Sequence, residues 1–554
     1  MENRTKLSLY EAVLQSAKKY PNAMAIYYKG TRISFRDFIK KVDRTADILV
    51  NQLNIKRNDV VLVAQPNIPE ALILIYAINK IGAICNSVHP FTPFNQLKNI
   101  FRQTKSKVAF VFEQRVAKEV DKYRDFADKI YVTRVEDSLP IFKKWAYHTF
   151  MNRAIRKKLG RYQGKFKGFK YFKDLKPTEK EALTVSNKSE EVSLLLHSGS
   201  TTGDPKTICL CDHNLNYFSD QALDILCMEA KDVEKKTFLS FLPSFHGFGF
   251  CVTMHAPLTI CCGVILMPKF NAVEVSKLIK KFKIVCTGAV PTALETLLKC
   301  HKFVNSKHLK NMGVIYCGGD SMSISLEERF NKVMIDGGSS CRVFEGYGLT
   351  EGVGAECVNT FKHHKSGSIG YPIRGVEFKI MDENGNDLGI SNVGEICIKS
   401  EMTMVGYLNN EEATKKAVVD GWLHTGDLGH IDEDGFIFFD QRIKRVVKVS
   451  GVGVFPSEIE KLVETVPGVS EVCAIRIPDP KLISAIKVFV VAKYFDEEGM
   501  KNEIIETCRK YLIRWAVPKE VEFVKELPRT LLGKVDFKKL QEEEDRKRGI
   551  INEK

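Results

Sequence analysis

The chain has 554 residues, 44% of them hydrophobic and 27% charged, with a net charge of +15 and 15 cysteines. Such a length exceeds one ordinary core and predicts two to four domains, and the apolar content excludes a disordered or fibrous chain. Scattered, odd-numbered cysteines exclude a disulfide framework and predict free thiols in a reducing cytoplasm, while the positive balance favours polyanionic partners: nucleotides, nucleic acid or an anionic membrane surface.

The first eight residues carry no apolar core of signal-peptide length. Beyond them, short apolar runs alternate with amphipathic stretches. Residues 60–64, 108–112, 129–133, 193–196 and 313–317 read as buried strands, and 68–81 and 272–282 as helices. This alternation predicts an α/β architecture with parallel sheets. Between 141 and 173 stand 11 Lys and Arg and no Asp or Glu. There Ile155, Leu159, Tyr162, Phe166 and Phe169 recur at spacings of three and four, so the segment reads either as a solvated insertion or as a basic amphipathic element for a membrane surface.

The stretch 248–267 approaches the length of a membrane span, but His255, Pro257 and Gly263 interrupt it. A buried helix followed by a buried strand is expected, in a soluble protein. After about residue 375 the strands alternate and are broken by Asp-Glu-Asn-Gly (382–385) and Asp-Glu-Asp-Gly (432–435), which predict hairpins. From about Ile443 the pattern suits a small α+β domain.

The first chemical motif is His197-Ser-Gly-Ser-Thr-Thr-Gly-Asp-Pro-Lys206, between two strand-like runs. Its glycines let backbone N–H groups turn toward an anion, its hydroxyls add donors and its lysine adds charge. The P-loop of ordinary NTPases is excluded, because that pattern needs adjacent Gly-Lys and a helix to follow. Cys209-x-Cys211-x-His213 has alternate residues on one strand face. With no second ligand pair nearby, it reads as buried thiols rather than a metal site. Four further motifs follow in order: Phe241-Leu-Pro-Ser-Phe-His246, Cys317-Gly-Gly-Asp-Ser321, Glu345-Gly-Tyr-Gly-Leu-Thr-Glu351 and Leu423-His-Thr-Gly-Asp427. Asp440-Gln-Arg442-Ile-Lys444, the glycine loop at Gly451 and Leu527-Pro-Arg-Thr-Leu-Leu-Gly-Lys534 complete the series.

In this order the motifs resemble those of the adenylate-forming (AMP-binding) superfamily, in its acyl-CoA synthetase and long-chain fatty acid–CoA ligase branch. The resemblance implies a large N-terminal domain of two doubly wound sheets plus a distorted β-barrel (1–442). A small mobile α+β domain (443–554) would follow, with its hinge near Lys444. It implies that Ser200, Thr201, Thr202, Gly203 and Lys206 hold phosphates, and that Gly318, Gly319 and Asp320 pass the adenine ring. Glu345, Gly346, Tyr347 and Gly348 belong to the same nucleotide site, with Tyr347 stacked on adenine. Thr350 would contact the α-phosphate, Glu351 and Thr202 would hold Mg²⁺, and His246 would lie beside the carboxylate pocket. Asp427 and Arg442 would take the ribose hydroxyls, Gly451 would line the coenzyme A path, and Lys534 would bridge the attacking carboxylate and the α-phosphate. Four positions depart from the family pattern: Ser200, Thr207, Gln441 and Leu532.

The implied activity is ATP-dependent formation of an acyl-AMP and then of an acyl-CoA, with ATP, Mg²⁺ and coenzyme A. The Phe245-His246 pair offers no buried carboxylate for an α-ammonium group, which disfavours amino acids. A medium- or long-chain fatty acid is the expected substrate, with aryl acids next, and a carrier protein is the alternative acyl acceptor. A scaffold with a dead site is disfavoured by the intact Lys206, Glu351 and Lys534. Nucleic acid is not an expected partner, since no recognised motif accompanies the charge. A cytoplasmic enzyme is expected, peripheral to the inner face of the membrane if 141–173 meets lipid.

Overall fold

A computed structural model describes residues 4–134, 136–140, 143, 168–178, 189–198, 206–449, 452–479, 482–493, 496–530 and 535–550. Most of the basic segment, including Ile155, Leu159, Tyr162 and Phe166, lies outside the described residues, as do Ser200, Thr201, Thr202, Gly203, Gly451 and Lys534. The chain divides into two compact units, Met1–Glu377 with Lys399–Leu423, and Phe378–Ile398 with His424–Lys554.

The first unit is built on two largely parallel sheets. In one, the strands run in the order Tyr371–Pro372, Cys357–Val358, Val343–Tyr347, Met312–Cys317, Ile284–Ala289, Thr237–Ser240, Gly263–Leu266, Met24–Tyr28 and Thr31–Ser34. In the other the order is Gly406–Tyr407, Thr207–Cys211, Val192–His197, Ile84–Ser87, Val60–Ala64, Val108–Phe112, Ile130–Thr133 and Lys170–Tyr171. The expected strands at 60–64 and 108–112 are thus present with those bounds, and the others lie within a residue or two. They are apolar along their whole length because helices cover both faces.

Local sequence sets these helices. Ser34 caps Phe35–Asp47 by accepting from the Asp37 N–H at 3.1 Å, and Phe35, Phe38, Val42 and Ala46 form its buried stripe. Pro69–Lys80 starts on proline and is buried all round. The apolar stretch from 248 forms a wide π-type helix, Phe248–His255, then a single α turn and the strand Gly263–Leu266. That is the buried helix and strand expected of it. His255 is fully buried there between the Tyr76 hydroxyl and the Asn216 side-chain Oδ1, 2.9 Å from each. Among the described residues no helix is long and apolar enough to cross a membrane.

In the second unit the strands Glu377–Met381, Gly394–Lys399, Trp422–Ile431 and Ile437–Arg442 share a sheet. They occupy the region where a distorted barrel was expected. The two Asp-x-x-Gly tetrapeptides form matching turns: Gly385 and Gly435, both at positive φ, donate to the carbonyls of Asp382 and Asp432 at 3.1 and 3.0 Å. A short turn, Ile443–Arg445, carries Lys444. The hairpin Val447–Val449 with Val452–Val454 and the sheet Val469–Asp479, Ile483–Ala492, Glu520–Phe523 follow, with helices at Pro456–Val463, Glu497–Tyr511 and Phe537–Lys547. The last helix is anchored by the buried Lys487, whose ammonium lies 2.9 Å from Glu544 and 2.7 Å from Glu522.

All but Cys227 and Cys300 of the cysteines are buried, and none is in a disulfide. Cys209 and Cys211 sit on Thr207–Cys211, and Cys211 donates to Asn214 at 3.1 Å while His213 pairs with Glu401 at 2.7 Å. The three do not converge as ligands.

Candidate active site

The expected nucleotide residues divide between the two units. In the first they gather at the carboxyl ends of parallel strands, where open α/β sheets place their ligands. Met312–Cys317 and Val343–Tyr347 are neighbours in register, Cys317 opposite Glu345. Their extensions bring Gly318, Gly319 and Asp320 beside Glu345, Gly346 and Tyr347. The approach is close: a Cβ on Gly318 would fall 2.7 Å from the Gly346 carbonyl oxygen. The Glu345 carboxylate is buried and accepts the Met322 N–H at 2.9 Å, so it ties the two segments together from behind. Asp320 is exposed.

Thr350 and Glu351 follow in a single tight turn, Thr350–Gly352. Directly beneath lies Glu356, fully buried, whose carboxyl group accepts the Leu349 N–H at 3.2 Å. Burial pushes its pKa well above the usual carboxylate range. Gly348 and Gly352 leave no room for side chains against it.

The turn carrying His246 packs on the next stretch of the same motif. A Cβ on Gly247 would meet the Val353 carbonyl oxygen at 2.5 Å, which explains glycine at that position. His246 is half-buried beside Phe245, with ring centroids 5.2 Å apart. The turn is held from the second sheet by Asn67, whose amide donates to the Leu242 carbonyl at 2.8 Å and accepts from the Ser244 N–H at 3.1 Å.

The two ends of the loop expected to hold phosphate are clipped together. The Ser198 N–H donates to the Lys206 carbonyl at 3.0 Å, and the Lys206 N–H donates to the Ser198 hydroxyl at 3.1 Å. At the base, His197 Nε2 lies 2.7 Å from Asn86 Oδ1, and its Nδ1 faces the Thr207 hydroxyl at 3.3 Å. Burial lowers this histidine to about 4, so the imidazole is neutral and structural.

Lys206 and Glu351 come together through a residue that sequence reasoning missed. Tyr407 lies on the short edge strand Gly406–Tyr407, antiparallel to Thr207–Cys211. Its hydroxyl donates to Glu351 Oε1 at 2.9 Å, and the Lys206 ammonium lies 4.3 Å from its ring centroid. The backbone repeats the link, since the Met404 N–H donates to the Glu351 carbonyl at 2.7 Å. A cation over a ring and a carboxylate held by its hydroxyl keep opposite charges close while both stay reachable. The half-buried Glu351 carboxylate is a hard oxygen donor of the kind Mg²⁺ takes.

In the second unit Asp427 stands opposite Arg442 in the antiparallel pair Trp422–Ile431 and Ile437–Arg442. Asp427 is 2% exposed, and Arg442 Nε lies 3.4 Å from its Oδ1. Thr425 fixes the turn before it, its hydroxyl accepting the Asp427 N–H at 3.1 Å. The pair offers a carboxylate acceptor and guanidinium donors side by side, a set suited to vicinal hydroxyls.

Comparison with known proteins identifies the family. Residues 13–408 match the family model described as AMP-binding enzyme, and 458–534 match the AMP-binding enzyme C-terminal domain. The chain is 29% identical to a long-chain-fatty-acid–CoA ligase of Bacillus subtilis (strain 168), over 97% of this chain and 94% of that one. It is 27% identical to the 4-coumarate–CoA ligase-like 8 protein of Arabidopsis thaliana, over 96% and 91%. Among solved structures, an anthranilate CoA ligase in complex with anthranoyl-AMP superposes with a TM-score of 0.83 at 20% identity, covering 98% of each chain.

Proposed function

The chain belongs to the AMP-binding enzyme family, and on that premise we propose that it is an acid–thiol ligase that makes acyl-CoA through an acyl-AMP. A carboxylate oxygen attacks the α-phosphorus of ATP, and the bond to the β-phosphate oxygen breaks, releasing pyrophosphate. The coenzyme A sulfur then attacks the acyl carbon, its proton is lost, and AMP leaves. The observation that carries this reading is the Lys206–Tyr407–Glu351 array beside the Thr350 turn.

The difficulty of the first step is that both reactants are anions, so the protein must gather positive charge and align an in-line attack. Lys206 and the hydroxyl loop of Ser200, Thr201, Thr202 and Gly203 hold the outer phosphates. Tyr347, Gly318, Gly319 and Asp320 seat the adenine, and Asp427 with Arg442 takes the ribose. Lys534 bridges the attacking oxygen and the α-phosphate. Glu351 and Thr202 would hold magnesium, which would supply charge neutralisation for the leaving pyrophosphate. For the second step the segment 443–554 turns about Lys444, withdrawing Lys534 and presenting the Gly451 loop to the thiol path.

The acid is a medium- or long-chain fatty acid. The name of the Bacillus subtilis relative supports this choice, and the Arabidopsis relative keeps aryl acids as the second class. The basic segment 141–173 would bring a cytoplasmic enzyme to anionic lipid at the inner membrane face, where each basic residue contributes about 1 kcal/mol within a Debye length. The deciding experiment is AMP release from a panel of carboxylic acids with ATP, with and without coenzyme A. Turnover of fatty acids that requires coenzyme A is expected; turnover only with an acyl carrier protein would overturn the thiol assignment.

A further inference from the structure

Outside the nucleotide residues, one group of side chains has no part in the chemistry above. The strand Gly394–Lys399 carries Glu395 and Cys397 two residues apart and so on one face. The adjacent strand Trp422–Ile431 brings His424 against them. His424 Nδ1 lies 2.8 Å from Glu395 Oε2 and 3.5 Å from Cys397 Sγ, and the three ligand atoms all fall within 4.8 Å of one another. Among the described residues no other group of three His, Cys, Asp or Glu converges in this way.

We propose that Glu395, Cys397 and His424 form a binding site for a borderline-soft divalent cation of the zinc type. Nitrogen, thiolate and carboxylate from three residues are the donor set such a cation takes. Tetrahedral bonds of about 2.0 Å to N and O and about 2.3 Å to S place nitrogen and sulfur about 3.5 Å apart, and nitrogen and oxygen about 3.3 Å apart. The first separation is already present. The second is 2.8 Å, so binding opens the His424–Glu395 contact by about 0.5 Å.

The surroundings fix the donors in place. Two neighbouring strands carry them, and the other Glu395 oxygen accepts the Gly426 N–H at 2.8 Å, the outer-shell support that ligating carboxylates have. The sulfur is buried, while the His424 and Glu395 side chains are 21% and 19% exposed. The two exposed ligands leave the group reachable from solvent. A thiol must lose its proton to bind a cation. Affinity therefore rises with pH.

The test uses the full-length reduced protein, freed of metal by a chelator and titrated with Co²⁺ alone. The expected result is one equivalent of Co²⁺ with a thiolate-to-cobalt charge-transfer band, bleached by one equivalent of Zn²⁺. Cys397→Ser should abolish the band while leaving acyl-CoA synthesis intact. His424→Gln should weaken Co²⁺ binding at least tenfold, since loss even of an outer-shell partner costs about 10–100-fold. A band that persists in Cys397→Ser, or no band at all in the wild type at pH about 8, overturns the proposal. So does unchanged Co²⁺ affinity in His424→Gln. The readout is binding, so it does not depend on which acid the enzyme activates.

Discussion

Tyr407 donates a 2.9 Å hydrogen bond to the carboxylate of Glu351 from an edge strand that is remote from it in sequence. Tyr407→Phe keeps the ring beneath Lys206 and removes only the hydroxyl. A hydrogen bond to a charged group is worth about 1.5–3 kcal/mol. The variant should therefore lose roughly tenfold to a hundredfold in acyl-AMP formation and need more Mg²⁺ to reach its maximum. Pyrophosphate release measured against Mg²⁺ concentration checks this, and an unaltered Mg²⁺ profile would show that Tyr407 only packs.

Asp427→Ala removes the buried carboxylate opposite Arg442. ATP affinity should fall by about 1.5–3 kcal/mol, the scale of a charge-assisted hydrogen bond. Calorimetric titration with ATP reads it directly. Unchanged affinity would mean that another group holds the ribose.

Lys534→Ala should abolish acyl-AMP formation and leave the conversion of supplied acyl-AMP to acyl-CoA near the wild-type rate. Single-turnover assays of the two half-reactions separate the outcomes. Equal loss of both would argue against the turning of 443–554.

Acid sensitivity follows from two neutral histidines. Burial holds His255 at about 3 and His197 at about 4, against an ordinary value of 6.5. Between these values the unfolded chain binds protons that the folded chain refuses, so these groups make stability fall as pH drops from about 6.5 toward 4. Each contributes a slope of at most about 1.4 kcal/mol per pH unit. His255→Gln should flatten the fall in urea midpoint between about pH 6.5 and 4.5. A slope equal to that of the wild type would assign the acid sensitivity elsewhere.

Much of the fold was legible because strands such as Val60–Ala64 are buried on both faces and read as continuous apolar runs. The motif order was legible for a different reason: nucleotide chemistry confines particular residue types to the strand ends. Tyr407 was not, because its role comes from pairing between residues about 200 positions apart, and a two-residue strand leaves no periodicity to read. Asn67 and Asn86 escaped likewise, since a lone amide becomes a clamp only once the Leu242–Ser244 turn or His197 is placed against it. The Glu395–Cys397–His424 group lies on two strands whose adjacency no local signal reveals.

The burial of nearly every thiol makes the enzyme chemically quiet toward maleimides and similar reagents. After Cys227 and Cys300 are changed to serine, dyes attached to one new surface cysteine before Lys444 and one after it would report with little background. Energy transfer between such dyes would then follow the proposed rotation about Lys444 during turnover, without touching a single residue assigned to the chemistry.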